Sequence, residues 1–109
     1  MAEDLSTPRV NSARLSEVIG RTVRFICKVE RVRGPTAIVR ATDRGQVEIK
    51  LPMGGELQEG KYVEIIGTVE EPNVINLKGY VDLGPNELDM QLIDDCIEMI
   101  NNPKYETIF

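Results

Sequence analysis

The sequence predicts an all-β fold: a small closed barrel of five strands, with a short helical turn before it and one helix after it. Three observations lead there. Five stretches alternate apolar and polar residues with the period of two of a half-buried strand, and Gly, Pro, Asn or Asp separates them. The first and longest stretch slips its phase by one residue. The one long helical periodicity lies at the C-terminal end.

The first eight residues are polar and are expected to form a flexible segment. Asn11 or Ser12 then offers a cap to a turn or two of helix, in which Leu15, Val18 and Ile19 share one side before Gly20 ends it. In the first strand, residues 22–33, Val23, Phe25, Cys27 and Val29 point one way. Val32 is apolar where strict alternation would call for Arg31, the mark of a β-bulge. A strand bent in this way can serve both sides of a small barrel. Gly34-Pro35 turns the chain into a second strand over 36–41, and Thr42 to Gly45 turns it into a third over 46–51. A glycine-rich loop, 52–60, leads to a fourth strand over 61–70, with Val63, Ile65, Gly67 and Val69 on one side. The fifth, 74–83, places Ile75, Leu77, Val81 and Leu83 inside and Tyr80 outside. Five strands with a long, bulged first member favour the OB-fold, a Greek-key barrel, over its competitor, the SH3-like barrel. The boundaries read as 1–8 flexible segment, 9–84 barrel, 85–103 oligomerisation helix and 104–109 tail.

The terminal helix, 86–102, opens after Gly84-Pro85 with Asn86 as its expected N-cap and is stopped by Pro103. At about 100° per residue, Leu88, Met99, Leu92, Cys96, Ile100, Ile93, Ile97 and Met90 fill an arc of roughly 200°. A helix covering only its own core needs little more than about 100°. The surplus, expected around Ile93, Ile97 and Met90, asks for a second partner.

Charge is unevenly placed. Residues 20–50 hold eight basic and three acidic residues, a local +5, whereas residues 51–109 hold three basic and twelve acidic, a local −9. With −1 from the first nineteen residues the total is −5. Such asymmetry marks either a nucleic-acid face on an acidic body or a solvated strand face. Arg31, Arg33, Arg40 and Arg44 are candidates for an auxiliary contact to single-stranded DNA. The aromatic platform that stacks bases is thin: Phe25 reads as core, and the second and third strands contain no aromatic residue.

No catalytic constellation is present. There is no histidine, the serines (Ser6, Ser12, Ser16) lie outside any motif, and Met53-Gly54-Gly55 lacks the remainder of a phosphate loop. Lys61 and Lys78 stand alone, and Asp94-Asp95 reads as a solvated helix face. No cofactor, metal, signal peptide or membrane span is expected. Cys27 and Cys96 show no framework spacing and read as buried thiols of a reducing compartment.

Three stretches carry a resemblance. Pro8-Arg9-x-Asn11 leads through Leu15 and Ile19 into Val23-x-Phe25 and Val29-Glu30-x-Val32; Val63-Glu64-Ile65-Ile66-Gly67-x-Val69 follows; and the helix from Asp89 to Ile100 closes the domain. Across residues 8–103 the chain resembles the small-subunit family of replication protein A, the eukaryotic single-strand-binding heterotrimer. The resemblance implies a non-enzymatic, nuclear assembly subunit in replication, repair and recombination. It implies that the terminal helix joins helices of the middle and large subunits in a three-helix bundle, and that single-stranded DNA is bound mainly through those partners. On this reading Leu92, Ile93, Cys96, Ile97 and Ile100 face the partners, with Leu88 and Met99 shared with the barrel. An autonomous single-stranded nucleic-acid module, the small OB subunit of a telomere-capping complex and, more remotely, an RNA-processing or translation OB domain are the alternatives.

Overall fold

The computed structural model describes residues 7–53, 57–84 and 87–101. Strands β1 (Thr22–Arg33), β2 (Thr36–Ala41), β3 (Gln46–Lys50), β4 (Tyr62–Glu71) and β5 (Val74–Asp82) close a barrel in the order β1-β2-β3-β5-β4. A 3-10 helix (Ser12–Glu17) precedes them and helix α1 (Met90–Asn101) follows. β3 and β5 run parallel and the other described pairs are antiparallel. This is the OB-fold.

β1 closes the barrel because it has two partners. Its first half pairs with β4 and its second with β2, while Cys27 and Lys28 pair with both. The phase slip lies where Val29 faces Val39 but Arg31 faces Ile38, so that Glu30 is the extra residue. The bulge aims Glu30 outward, where its carboxylate accepts hydrogen bonds from Arg40 Nε at 2.7 Å and Gln46 Nε2 at 3.0 Å.

Two expectations change at β4–β5 and at the N-terminal turn. Between β4 and β5 the register shifts, with Ile66 opposite Gly79 but Gly67 opposite Leu77, so Lys78 is an extra residue and the phase of β5 inverts beyond it. Val81 and Leu83, expected inside, are 49% and 37% exposed, while Tyr80, opposite the buried Ile65, is 42% exposed, outside as expected. Gly67 permits the close approach there: a Cβ at this position would sit 2.5 Å from the Asn76 carbonyl oxygen and 2.7 Å from Ile75 Cγ2. The N-terminal turn is a 3-10 helix, which buries Leu15 fully but leaves Ile19 50% exposed. Asn11 makes no side-chain cap, because its amide is engaged with the terminal helix.

The core is the inner face of the barrel, with Val23, Phe25, Val39, Ile49, Ile65 and Ile75 fully enclosed. Val10, Leu15 and Leu57 join it from outside the strands. Among the described residues no helix is long and apolar enough to cross a membrane.

Candidate assembly interface on the terminal helix

α1 begins one residue after Asp89. The Leu92 N–H donates to the Asp89 carboxylate at 3.0 Å and the Ile93 N–H to its carbonyl at 3.1 Å, so Asp89 is the N-cap. Asn86, Pro103 and the tail lie outside the described residues.

The helix is held to the barrel by one apolar side chain and a polar seam. Ile97 is 2% exposed, with Met90 and Ile93 half-buried beside it. Along the flank, Asn11 Nδ2 donates to Asp94 Oδ1 at 2.8 Å and to Glu98 Oε2 at 2.7 Å. Thr42 Oγ1 donates to Asp94 Oδ1 at 2.8 Å, and Arg14 Nη2 to Glu98 Oε1 at 2.7 Å. Asn101 Nδ2 reaches the Arg9 carbonyl at 2.9 Å. Asn11 and Thr42 are both buried, and Asn11 Oδ1 has no partner among the described residues. With two carboxylates converging on it, that amide has a single acceptable orientation, NH2 toward α1. Asp94 is thus part of the attachment, not a solvated face.

The open side of the helix differs from the expectation at Ile93, Ile97 and Met99, while Leu92, Cys96 and Ile100 lie on it as expected. Ile97, placed on the partner side from sequence, is covered by its own barrel, and Ile93 lies at the edge of that contact. The uncovered apolar residues are Leu92 (59% exposed), Ile100 (57%) and Met99 (44%), together with the exposed Cys96, whereas Leu88 is half-buried, precedes α1 and lines a cleft with Thr42, Arg44 and Tyr62 of the barrel. Met99 was expected to be shared with the barrel, and Cys96 was expected to be a buried thiol. The four residues within the helix, Leu92, Cys96, Met99 and Ile100, span about 100° of the far side of α1. The reason for the difference lies in the polar residues. Asp94 and Glu98 must meet donors, the donors lie on the 3-10 segment and the β2–β3 turn, and that contact fixes the rotation of the helix.

The seam is acid-sensitive. The Arg14 guanidinium and then the Asn11 amide hold the Glu98 carboxyl below its ordinary range. Burial opposes ionisation of Asp43, but donors from Ser12 and from the Ala13 and Gly45 N–H groups outweigh it and lower its pKa. A carboxylate whose folded pKa is depressed contributes stability above its unfolded value and loses it as pH falls through the folded value. Below about pH 4, amide protection in α1 should therefore fall before that of β1 and β4 as measured by hydrogen exchange. Glu98→Gln should flatten that acid dependence; an unchanged profile would show that Glu98 does not carry it.

The four arginines do not form one patch. Arg31 and Arg33 are exposed and line a cleft of about 360 Å³ with Thr36, Ile38, Gln46 and Glu48. Arg40 is tied to Glu30 and donates to the Arg44 carbonyl at 3.2 Å. Arg44 sits in a left-handed turn (φ 71°) beside a second cleft lined also by Thr42, Tyr62, Leu88 and Met90. Tyr62 is 5% exposed beneath Lys28, whose Nζ stands 5.6 Å from its ring centre. Burial pushes the Cys27 thiol pKa well up, which leaves it an inert core group. Among the described residues no cluster of three or more His, Cys, Asp or Glu is placed to hold a metal ion.

A barrel, an attached helix and an open apolar face on that helix are the features to set against known proteins. The family model described as replication factor A protein 3 matches residues 1–106. The chain belongs to that family. Replication factor A protein 3 of Schizosaccharomyces pombe is 28% identical over 103 residues, 94% of each chain. The replication protein A 14 kDa subunit of Oryza sativa subsp. japonica is 35% identical over 77 residues, 71% of each. Among solved structures, U. maydis replication protein A bound to single-stranded DNA contains a chain similar with a TM-score of 0.82 and 25% identity, over 94% of both chains. The S. pombe Stn1–Ten1 complex contains one similar at 0.66 and 10% identity, over 84% of this chain and 89% of that one; at that identity the likeness is one of fold. The replication factor A family is that of a replication factor subunit and not a known enzyme class.

Proposed function

We propose that this protein is the structural subunit of a heterotrimeric replication protein A, acting in the nucleus in replication, repair and recombination. The barrel positions α1, and the helix packs against one helix each from the middle and large subunits. The observation that carries this reading is the open face of α1, with Leu92, Met99 and Ile100 each more than two-fifths exposed. A two-stranded coiled coil needs only a narrow apolar seam, whereas a face of about 100° suits two neighbouring helices. Burying each large side chain contributes roughly 1.5–3 kcal/mol. Association costs about 4–15 kcal/mol, so one helix pair would be marginal and a bundle of three is the more durable solution.

Single-stranded DNA would be bound mainly by the partner subunits. A net charge of −5 disfavours an independent grip on phosphates, and neither β2 nor β3 contains an aromatic residue to stack on a base. Arg31 and Arg33 are the better placed for an auxiliary contact; Arg40 is occupied by Glu30.

Native mass spectrometry of the assembly purified from cells tests the proposal. The expected result is one copy of this chain with two larger, unlike companions. Recovery with telomere-capping chains instead would favour the reading that the Stn1–Ten1 likeness suggests. Submicromolar, steeply salt-dependent DNA binding by the chain alone would favour an autonomous module.

A further inference from the structure

We infer that the open face of α1 fits helices whose edges carry lysine or arginine, an inference that rests on α1 being the assembly surface. Residues 87–101 contain five acids and no lysine or arginine. Two of the acids, Asp94 and Glu98, are turned to the barrel and met there by Asn11, Thr42 and Arg14. The other three, Glu87, Asp89 and Asp95, are exposed. Asp95 borders the apolar face, three residues after Leu92 and four before Met99, and its one described contact is a hydrogen bond from Gln91 Nε2 at 3.0 Å, a neutral donor that leaves the charge uncompensated. Glu87 and Asp89 precede α1 and line the cleft beside Arg44.

This charge pattern selects among occupants. A second copy of the chain would set one acidic helix against another, with no lysine or arginine on either helix to relieve the repulsion. An anionic lipid surface calls for lysine and arginine on an amphipathic helix, and nucleic acid calls for the same. A partner helix with an apolar stripe and cationic edges satisfies both the stripe and its rim. The partners then gain a specificity that apolar packing alone does not provide, because flanking charges discriminate among helices of similar hydrophobicity.

The test uses the full chain reconstituted with the middle and large subunits, with the dissociation constant measured by titration at about 50 mM and about 500 mM salt. Asp95→Lys is expected to weaken assembly at low salt roughly fivefold or more, and the difference should shrink at high salt. Melting of the free chain should not change, since Asp95 lies outside the attachment to the barrel. Leu92→Asp serves as the control for the surface itself. If Asp95→Lys assembles as tightly as the native chain at low salt while Leu92→Asp fails, the cationic rim is overturned and the assembly surface stands. If Leu92→Asp assembles normally, α1 is not the surface and the inference falls with it. A free chain that sediments as a dimer, and as a monomer after Leu92→Asp, would make a second copy the occupant and overturn the cationic partner.

Discussion

Leu92→Asp is expected to leave the free chain folded and to abolish its recovery with the two larger subunits. Leu92 is 59% exposed and is the third residue after the N-cap Asp89. An aspartate at that position favours the positive end of the helix, so circular dichroism and the melting temperature should hold. In the assembled bundle the same carboxylate would be enclosed without a partner. An uncompensated buried charge costs about 3–5 kcal/mol, which is more than a hundredfold in affinity. Ile97→Asp provides the contrast. Its side chain is 2% exposed against the barrel, so a charge there should detach α1 from its own domain and lower helical signal and amide protection even in the free chain. Co-purification of Leu92→Asp at normal yield would remove α1 from the interface.

Phe25→Ala should bring the domain close to unfolding. Phe25 is fully buried in the half of β1 that pairs with β4, opposite Ile65, which is likewise fully buried. Truncating a buried phenylalanine costs about 3–5 kcal/mol through lost transfer energy and the remaining cavity. Small domains hold only about 5–15 kcal/mol in total, and each kcal/mol shifts melting by about 4–8 °C in a domain of this size. A fall of some 15–30 °C is expected in a thermal scan, with an earlier urea midpoint and an unchanged m-value. A loss below about 1 kcal/mol would mean that the barrel repacks around the gap, contrary to the enclosed core seen here.

Much of the barrel was legible because its signals are local. Val23, Phe25, Cys27 and Val29 alternate, and a strand with one face in a core must bury that set. The bulge in β1 was legible from the slip at Val32. The second bulge, at Lys78, left no comparable sign: Val81 and Leu83 continue an alternating pattern with Leu77, so the sequence reads as unbroken where the structure inverts its phase. Gly67 was the available clue, a glycine in a strand whose partner approaches too closely for a Cβ.

The candidate site divides in the same way. The width of the apolar arc on α1 follows from the sequence, because helical spacing alone puts those side chains on one side of a cylinder. The rotation of that cylinder against the barrel does not follow from it. Asn11 and Asp94 are 83 residues apart and Asn11 and Glu98 are 87 apart, and nothing local links them.

By itself, then, the sequence determined the class of fold, the alternation that fills the core and the excess of apolar surface on the last helix. Tertiary structure alone decided which part of that excess meets the barrel and which part faces outward. The physical reason is that the half-buried carboxylates of α1 meet the buried polar groups Asn11 and Thr42, which need partners. Asn11, Arg14 and Thr42 supply donors from distant segments, and by fixing Asp94 and Glu98 they leave Leu92, Cys96, Met99 and Ile100 facing water.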